Sequence, residues 1–208
     1  MEINLNKTEN IHEINFLDIT ELQIKVSQLI EEDWDTKEDF EVNYNKAKDS
    51  KKGALNSTQH IIFRFTNKQS MPFQYVECSK WDNWKSTLLP IMNKATEYFN
   101  YKNRYYPKVM LANLPPKKII RPHIDGNKIG YVPHKIHVPI QTNESAFFFL
   151  KTKQFHFKKG VAYEVNNGKK HSVVNNGNTN RIHLIFECID YDIQTEMIKT
   201  QIKNRTKR

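Results

Sequence analysis

Three residues in the second half of the sequence have side chains that commonly bind one metal ion. His123 and Asp125 are two residues apart, and His171 follows far downstream. Because residues i and i+2 of a strand point to the same face, one strand can offer the imidazole of His123 and the carboxylate of Asp125 to the same ion. His171, on a later strand, would complete a set of two histidines and one carboxylate. Non-haem Fe(II) sites use this set because it leaves coordination positions open.

Arg181 strengthens this interpretation, because a His-x-Asp pair alone is a weak signal that also occurs by chance. The turn-forming segment 175–180 separates Arg181 from His171, which predicts two adjacent antiparallel strands. An arginine on the inner face of an apolar strand is costly unless it meets an anion, and a guanidinium matches a carboxylate with two parallel hydrogen bonds. The alternative is that Arg181 lies at the strand start and reaches solvent.

Arg121 precedes His123 by two residues, so the same alternation predicts that its side chain lies beside both His123 and Asp125. A guanidinium at the mouth of a pocket can bind a substrate carboxylate. The alternative is a solvated charge at the rim of the site. Arg121 is therefore a candidate substrate-binding residue.

These candidates lie among short segments that are rich in β-branched and aromatic residues and are separated by Pro, Gly and Asn turns. The predicted strands are Lys108–Leu114, Ile119–Asp125, Lys135–Ile140, Ala146–Leu150, Gln154–Phe157, Val161–Val165, His171–Val174 and Arg181–Cys188. Eight short strands at this spacing are typical of a sandwich or barrel of the jelly-roll type. We expect a mainly β protein with a double-stranded β-helix (jelly-roll or cupin-like) core and flanking α-helices.

The N-terminal half mixes helical and loop signals. Thr20 and Gln23 resemble a capping box, which predicts an amphipathic helix that starts there and ends near Trp34. The charged segment 35–59 reads mostly as a loop, and a long ordered loop near a site can act as a lid.

A strand and a second helix follow that loop. The segment His60–Phe65 has the composition of a strand. Ser79 is positioned to cap a helix whose apolar residues recur on one face. These apolar residues are Trp84, Leu88, Ile91, Met92, Ala95 and Phe99.

No internal repeat or composition break divides the chain, so we expect residues 1–208 to form a single domain. Within it, residues 1–104 would support the fold, residues 105–189 would form the jelly-roll catalytic core, and residues 190–208 would form a C-terminal helix and a basic tail.

The formal net charge is +9, which is compatible with a nucleic-acid partner or an acidic substrate. Five of the last thirteen residues are Lys or Arg, and further Lys pairs are scattered along the chain. A scattered excess of this kind is more often a solvated surface than a binding groove, so a nucleic-acid partner is not expected on charge alone. The oligomeric state cannot be read from these features.

The location of the protein is predicted from two further features. No apolar run approaches the roughly 20 residues that a membrane helix needs, and the N-terminal residues lack the layout of a signal peptide. Cys78 and Cys188 lie far apart and outside any Cys-x-x-Cys pattern, so we expect free thiols in a reducing compartment. Together these features predict a cytoplasmic protein with no membrane partner.

At this point the sequence resembles a known family. The combination of His123-x-Asp125, His171 and Arg181 is similar to the aspartyl/asparaginyl β-hydroxylases, a family of 2-oxoglutarate dioxygenases that includes free-proline hydroxylases. The segments LANLPPKKIIRPHIDG, KIHVPIQTN and NNGKKHSVVNNGNTNRIHLIFECID carry the resemblance. It covers residues 106–190 well and the N-terminal half loosely.

The resemblance implies a role for each candidate. His123, Asp125 and His171 would bind Fe(II), and Arg181 would pair with the distal carboxylate of 2-oxoglutarate. Lys135 and His137, which stand where the family often has Arg-x-His, would help to hold that co-substrate.

Three positions compare with the family's pattern in an informative way. Lys135 departs from the usual arginine and lacks its bidentate fork, and Ala112 stands where some members carry a co-substrate-binding serine. Asp125 is a full carboxylate ligand where vertebrate-type aspartyl hydroxylases have glycine, so the chain resembles the proline-hydroxylase branch more closely.

The chemistry that the resemblance implies is an oxidative decarboxylation coupled to hydroxylation. Fe(II), 2-oxoglutarate and O₂ would yield succinate and CO₂, and a hydroxyl group would be delivered to an unactivated C–H bond. The substrate would be an amino acid, or an amino-acid residue of a peptide or protein, of the Asp, Asn or Pro type. A carboxylate at Asp125 favours hydroxylation over halogenation, because halogenating relatives leave that coordination position free for halide.

Two other classes of function stay open. A non-catalytic jelly-roll module could keep metal or 2-oxoglutarate binding for sensing, although it would not need three open coordination positions. A basic nucleic-acid demethylase could use the same iron chemistry. Demethylases of this type carry paired arginines on the last strands. Here the residue six positions after Arg181 is Glu187, not a second arginine, which argues against a demethylase.

Overall fold

The structure is a computed structural model, and it describes residues 7–42, 55–66, 74–125, 133–192 and 196. The strands are β1 Ile11–Phe16, β2 Gln59–Thr66, β3 Tyr75–Glu77, β4 Arg104–Leu114, β5 Lys118–His123, β6 His134–Gln141, β7 Ala146–Leu150, β8 Lys153–Phe155, β9 Val161–Val165, β10 His171–Asn175 and β11 Arg181–Asp190. The helices are α1 Thr20–Ser27, α2 Lys37–Val42 and α3 Trp81–Ala95, and Glu31–Asp33 and Glu97–Phe99 form 3₁₀ turns.

The strands form two sheets in which every described pair is antiparallel. The larger sheet has the order β1-β9-β6-β11-β4-β2-β3, and the smaller has the order β5-β10-β7-β8. Apolar residues from both sheets meet between them, among them Leu114 and Tyr163 of the large sheet and Phe148 and Val173 of the small one. The predicted fold class, a mainly β jelly roll with flanking helices, is confirmed.

Helix α3 covers the outer face of the large sheet because its apolar residues recur at helical spacing. Leu88 and Met92 are fully buried there against Leu184 and Phe186 of β11. The alternating residues of β11 face the other way, so Arg181 and the partly buried Ile185 line the space between the sheets. Hydrophobic alternation therefore decides which side chains can reach a site inside the barrel.

Helix α1 starts at Thr20 as predicted, but its cap and its C-terminal end differ from the prediction. The predicted capping box is absent, because the carboxylate of Asp18 accepts hydrogen bonds from the backbone N and the Oγ1 of Thr20, at 3.0 and 2.7 Å. An aspartate that bonds two residues ahead forms its own turn and takes the place of the cap. The helix ends at Ser27 and not near Trp34, and the 3₁₀ turn Glu31–Asp33 follows it.

The segment predicted to be mostly loop contains helix α2, and its residues 43–54 lie outside the described residues. Asp39 stabilises α2 by accepting hydrogen bonds from the backbone N and Oγ1 of Thr36, at 2.9 and 2.7 Å. Its other oxygen accepts the backbone N–H of Ile62 at 2.7 Å, which ties α2 to β2. The role of this segment as a lid stays a prediction.

Ser79 does not cap α3, which is a further correction. Its backbone N and its Oγ both donate to the carboxylate of Glu38, at 2.9 and 2.6 Å, and the helix begins two residues later at Trp81. Ser79, which the local sequence predicts as the cap of α3, therefore bonds to Glu38 of α2 instead.

Strands β1 and β3 were not predicted. Both are short, and at least one large apolar residue on each is exposed, Phe16 on β1 and Val76 on β3, so neither shows the usual burial alternation. The predicted C-terminal helix lies outside the described residues apart from its first residues and Glu196. Among the described residues, no helix has both the length and the apolar character that a membrane span requires.

Candidate metal centre and its cavity

The neighbouring strands β5 and β10 bring the three ligand candidates together. His123 is the direct partner of His171 in the antiparallel register, and Asp125 lies just beyond the end of β5. The Nε2 atoms of His123 and His171 lie 3.4 and 3.9 Å from Oδ1 of Asp125. One potential ligand atom from each residue lies within 4.8 Å of the other two.

A β-bulge changes the alternation along β5. Val173 pairs with Ile120 and His171 pairs with His123, so four residues of β5 lie opposite three of β10. Pro122 lies in this bulge, and proline in a sheet is confined to such places because it has no N–H to donate.

The predicted common face of Arg121, His123 and Asp125 is consequently wrong for Arg121. The side chain of Ile120 lines the cavity with His123, and Arg121 is exposed and is not among the lining residues. Asp125 also reaches the cavity from beyond the strand, not by strand alternation. The substrate-binding role of Arg121 stays a prediction.

Both histidines are held with Nε2 directed at Asp125. Nδ1 of His123 lies 2.8 Å from the carbonyl oxygen of Arg121, and Nδ1 of His171 lies 2.9 Å from that of Lys169. A carbonyl oxygen only accepts, so each Nδ1 must carry a proton, which in the neutral ring leaves the lone pair on Nε2. This arrangement is the one by which outer hydrogen bonds fix metal-binding histidines.

The two carboxylate oxygens of Asp125 have different surroundings. Oδ2 accepts hydrogen bonds from Nζ of Lys135 and, at 3.1 Å, from Nδ2 of Asn167, whereas Oδ1 faces the two histidines. Burial raises the pKa of Asp125, but the Lys135 ammonium and the contacts with the histidines outweigh it and hold the pKa well below its ordinary value. The group is therefore a carboxylate at neutral pH.

A divalent metal ion fits this donor set. Two imidazole nitrogens and one carboxylate oxygen suit Fe(II) and related first-row ions. The Nε2 atoms of the two histidines lie 3.4 and 3.9 Å from Oδ1 of Asp125, so these three atoms are close enough together that the residues would hold one ion between them.

The three ligand candidates open into a cavity of about 180 Å³ between the sheets. Apolar side chains such as Ile120, Phe148 and Val173 form part of its wall. Strand β6 contributes Lys135 and His137 on its inner face, while its alternate residues pack toward the helices.

Arg181 lies in the wall of this cavity as a buried cation. Arg181 is 4% exposed, and its Nη2 donates a hydrogen bond to Nδ1 of His183 at 3.2 Å. No carboxylate within the described part of the chain lies within 4.0 Å of the guanidinium. Burial lowers the pKa of Arg181 to about 9, so the group is still charged at neutral pH. An unpaired buried cation is costly, and an anion that enters the cavity would compensate it.

His137 faces the same cavity as a neutral ring. Burial, reinforced by the positive charges of Lys135 and Arg181, holds the pKa of His137 well below its ordinary value. Its Nδ1 is buried without a hydrogen-bond partner in the described structure. A ligand in the cavity could supply that partner.

Lys135 lines the cavity and also contacts a ligand candidate, because its ammonium bonds to the carboxylate of Asp125. The co-substrate role that the resemblance implies for Lys135 stays a prediction. Ala112, at the position where some relatives carry serine, lines the cavity with no polar group.

Sequence reasoning missed two further residues of the site. Lys108, whose Nζ lies 3.1 Å from Oε1 of Glu187, lines the cavity from β4 and could have been found from its alternation with Met110 and Ala112. Asn167, the partner of Asp125, lies in a turn, where no local pattern points to a site.

A second, more open groove of about 540 Å³ lies between α1 and β6. It is lined by residues such as Gln23, Ile140 and Lys159, and none of its lining residues is His, Cys, Asp or Glu. The residues that could bind a metal or act as an acid or base therefore line the smaller cavity.

Comparison with known proteins places the chain in a family. The profile of the aspartyl/asparaginyl beta-hydroxylases matches residues 25–190, which is most of the chain. No protein of curated function matches it in a sequence search.

Two solved structures illustrate the shared fold. An oxidoreductase of the 2OG-Fe(II) oxygenase family from Burkholderia pseudomallei is 11% identical, with a TM-score of 0.51 over 64% of this chain and 69% of that chain. AviO1 from Streptomyces viridochromogenes Tue57 is 7% identical, with a TM-score of 0.51 over 87% and 90%. At these identities the likeness concerns the fold alone. By the profile match, the chain belongs to the aspartyl/asparaginyl beta-hydroxylase family, and it is a hydroxylase.

Proposed function

We propose that this protein is an Fe(II)- and 2-oxoglutarate-dependent dioxygenase that hydroxylates an unactivated C–H bond of an amino acid, either free or as a residue of a peptide or protein. The observation that carries the proposal is that Arg181, a buried cation with no carboxylate partner in the described structure, lines the same cavity as the cluster of His123, Asp125 and His171. A metal site alone would not need that cation. A co-substrate that binds the metal at one end and carries a carboxylate at the other needs both.

In this proposal His123, Asp125 and His171 hold the iron through Nε2, Oδ1 and Nε2. These atoms already face one another, and their outer hydrogen bonds hold them so. When bound, iron and 2-oxoglutarate supply with O₂ the oxidation that delivers one oxygen atom to a C–H bond and releases succinate and CO₂. Three protein ligands leave positions for the co-substrate and O₂.

Arg181 would bind the distal carboxylate of 2-oxoglutarate with its planar guanidinium. His137, which is neutral and has an unpartnered Nδ1, would donate or accept a hydrogen bond to the same molecule. Lys135 would act at the boundary between metal and co-substrate, because its ammonium bonds the second oxygen of Asp125.

The apolar wall and the positive charge of the cavity support selection of small anions. Ile120, Phe148 and Val173 make the small-sheet wall of the cavity apolar, and charge interactions are stronger beside an apolar wall than in water. Arg121 is exposed and does not line the cavity, and its binding of a substrate carboxylate stays a prediction. The family supports an amino acid, of the Asp, Asn or Pro type, as the substrate.

Succinate formation by the purified protein tests the proposal. The assay contains Fe(II), ascorbate, O₂ and 2-oxoglutarate, with separate pools of free amino acids and of peptides. We expect succinate to rise with one pool and to fall by at least ~10²-fold in His123→Ala and Arg181→Met. His156→Ala is the matched control, because His156 lies outside the cavity and bonds the carbonyl of Ala146. Folded, iron-loaded protein that forms no succinate with any pool would favour a non-catalytic binding module.

A further inference from the structure

One turn of the chain contacts two of the three ligand candidates. The turn 166–170 joins β9 to β10, and its residue Asn167 is 4% exposed. Nδ2 of Asn167 donates to Oδ2 of Asp125 at 3.1 Å, and the backbone N of Asp125 donates to the carbonyl of Asn167 at 3.0 Å. Two residues later the carbonyl of Lys169 accepts Nδ1–H of His171 at 2.9 Å.

The N-terminal segment 7–10 holds this turn from the other side. The backbone N of Asn166 donates to the carbonyl of Asn10 at 2.8 Å, and its Nδ2 donates to the carbonyls of Thr8 and Glu9, both at 3.1 Å. Nζ of Lys169 donates to the carbonyl of Glu9. These contacts span more than 150 residues of sequence and brace the turn against the start of β1.

Lys7 extends the bracing to the side chain of Asn167. Its Nζ donates to Oδ1 of Asn167 and, at 3.0 Å, to the carbonyl of Pro133. An ammonium only donates and the carboxylate of Asp125 only accepts, so both neighbours require the same amide orientation. Oδ1 of Asn167 faces Lys7 and Nδ2 faces Asp125.

We propose that Asn167, oriented by Lys7, is a positioning residue that keeps Asp125 a ligand through one oxygen. Asn167 and Lys135 occupy Oδ2 from two directions, so only Oδ1 is free to face a metal. A carboxylate that bound through both oxygens would take one of the three open positions that the proposed reaction needs. The inference rests on the proposed metal site and deepens it.

Loss of the Asn167 amide leaves Lys135 as the side-chain donor to Oδ2. With one donor fewer on Oδ2, the carboxylate of Asp125 would be less firmly oriented, and Oδ2 could also reach a bound ion. Removing an outer hydrogen bond of a metal ligand typically weakens metal binding ~10–100-fold. Loss of Lys7 acts one contact further away, so its effect should be smaller and in the same direction.

The test measures Co(II) binding to the full-length protein, by affinity and by the visible absorption spectrum, which reports coordination number and geometry. The variants are Asn167→Ala, Lys7→Met and Lys7→Arg. Asn143→Ala and Lys25→Met are the matched controls, because Nδ2 of Asn143 braces a different turn through Asn175 and Thr179, and Lys25 bonds the carbonyl of Asn83 on α3. Circular dichroism of the metal-free proteins checks that each variant is folded.

We expect Asn167→Ala to bind Co(II) ~10–100-fold more weakly with a shifted spectrum. Lys7→Met should show a smaller loss, and Lys7→Arg and both controls should match the wild type. Folded Lys7→Met and Asn167→Ala that keep wild-type affinity and spectrum would overturn this inference alone. A wild type that binds no Co(II) in a manner that depends on His123 would overturn the proposed function, and this inference with it.

Discussion

Arg181 donates its hydrogen bond to Nδ1 of His183, a neutral acceptor, at 3.2 Å. Burial, together with the charge of Arg181, holds the pKa of His183 well below its ordinary value, so this ring orients the guanidinium without neutralising it. The positive charge of Arg181 therefore remains available to the cavity.

Replacing Arg181 should separate co-substrate binding from stability. Arg181→Met removes a buried charge that no described carboxylate pairs, so we expect the free energy of unfolding to stay equal or to rise by ~1 kcal/mol or more. The same variant should lose the thermal stabilisation that 2-oxoglutarate gives the metal-loaded wild type. Differential scanning fluorimetry with and without 2-oxoglutarate measures both.

The matched control for that experiment is Arg64→Met. Arg64 pairs with Glu77 at 2.7 Å on the other side of the sheet, outside the cavity. The Arg64→Met variant should keep the full thermal stabilisation by 2-oxoglutarate. If Arg181→Met also keeps that response, Arg181 does not bind the co-substrate.

The pair of Lys135 and Asp125 should make stability depend on pH. The folded pKa of Asp125 lies well below its unfolded value of about 3.9, so its contribution is fully present above that value and is lost as pH falls through the folded pKa. Lys135→Met removes the largest of the interactions that lower the pKa of Asp125. The effect of burial, which raises this pKa, is then less opposed.

We therefore expect metal-free Lys135→Met to be less stable than the wild type at pH 7 by on the order of 1 kcal/mol, with the difference shrinking below about pH 4. Urea unfolding between pH 3 and pH 8 measures it. A difference that is constant across this range, or that grows in acid, would show that the ammonium does not stabilise the carboxylate.

The two cysteines should be unreactive in the folded protein. Both are buried free thiols; burial, with the nearby Glu38 and Asp39 carboxylates, raises the pKa of Cys78 to about 12, and burial raises that of Cys188 further. Because the thiolate is the reactive form, a disulfide reagent at pH 8 should modify neither thiol within minutes. In guanidinium chloride both should react at once, and rapid modification of the native protein would contradict the burial.

The core under α3 should dominate stability without affecting the site. Leu88 is fully buried between α3 and the large sheet, so Leu88→Ala should cost about 2–5 kcal/mol of unfolding free energy. Ile24 on α1 is 58% exposed, and Ile24→Ala should cost less than about 0.5 kcal/mol. Denaturant titration of both variants measures the two losses of unfolding free energy. Equal losses would contradict the assignment of the main core to the residues under α3.

Local pattern predicted the strands of the β-rich half well, because alternation there reflects a buried face. It also selected His123, Asp125, His171 and Arg181, which the structure brings to one cavity. Their roles as ligands and co-substrate contacts stay predictions that the experiments above address.

What local pattern could not predict depends on contacts between distant parts of the chain. The bulge at Pro122 reversed the expected direction of Arg121, and alternation rules assume that no residue is inserted. The contact of Ser79 with Glu38 moved the start of α3. Asn167 gains its importance from Lys7 and Asp125, which are far away in sequence, so no window of residues around it carries a signal.

The fate of O₂ tests the central claim most directly. The Fe(II)-loaded protein is incubated with 2-oxoglutarate, the responsive amino-acid or peptide pool and ¹⁸O₂, and the products are weighed by mass spectrometry. We predict one ¹⁸O atom in succinate and one in the hydroxylated product. The His123→Ala variant should form neither product. Succinate that carries no ¹⁸O, or a folded and iron-loaded wild type that forms none, would contradict the assignment of this cavity as a 2-oxoglutarate dioxygenase site.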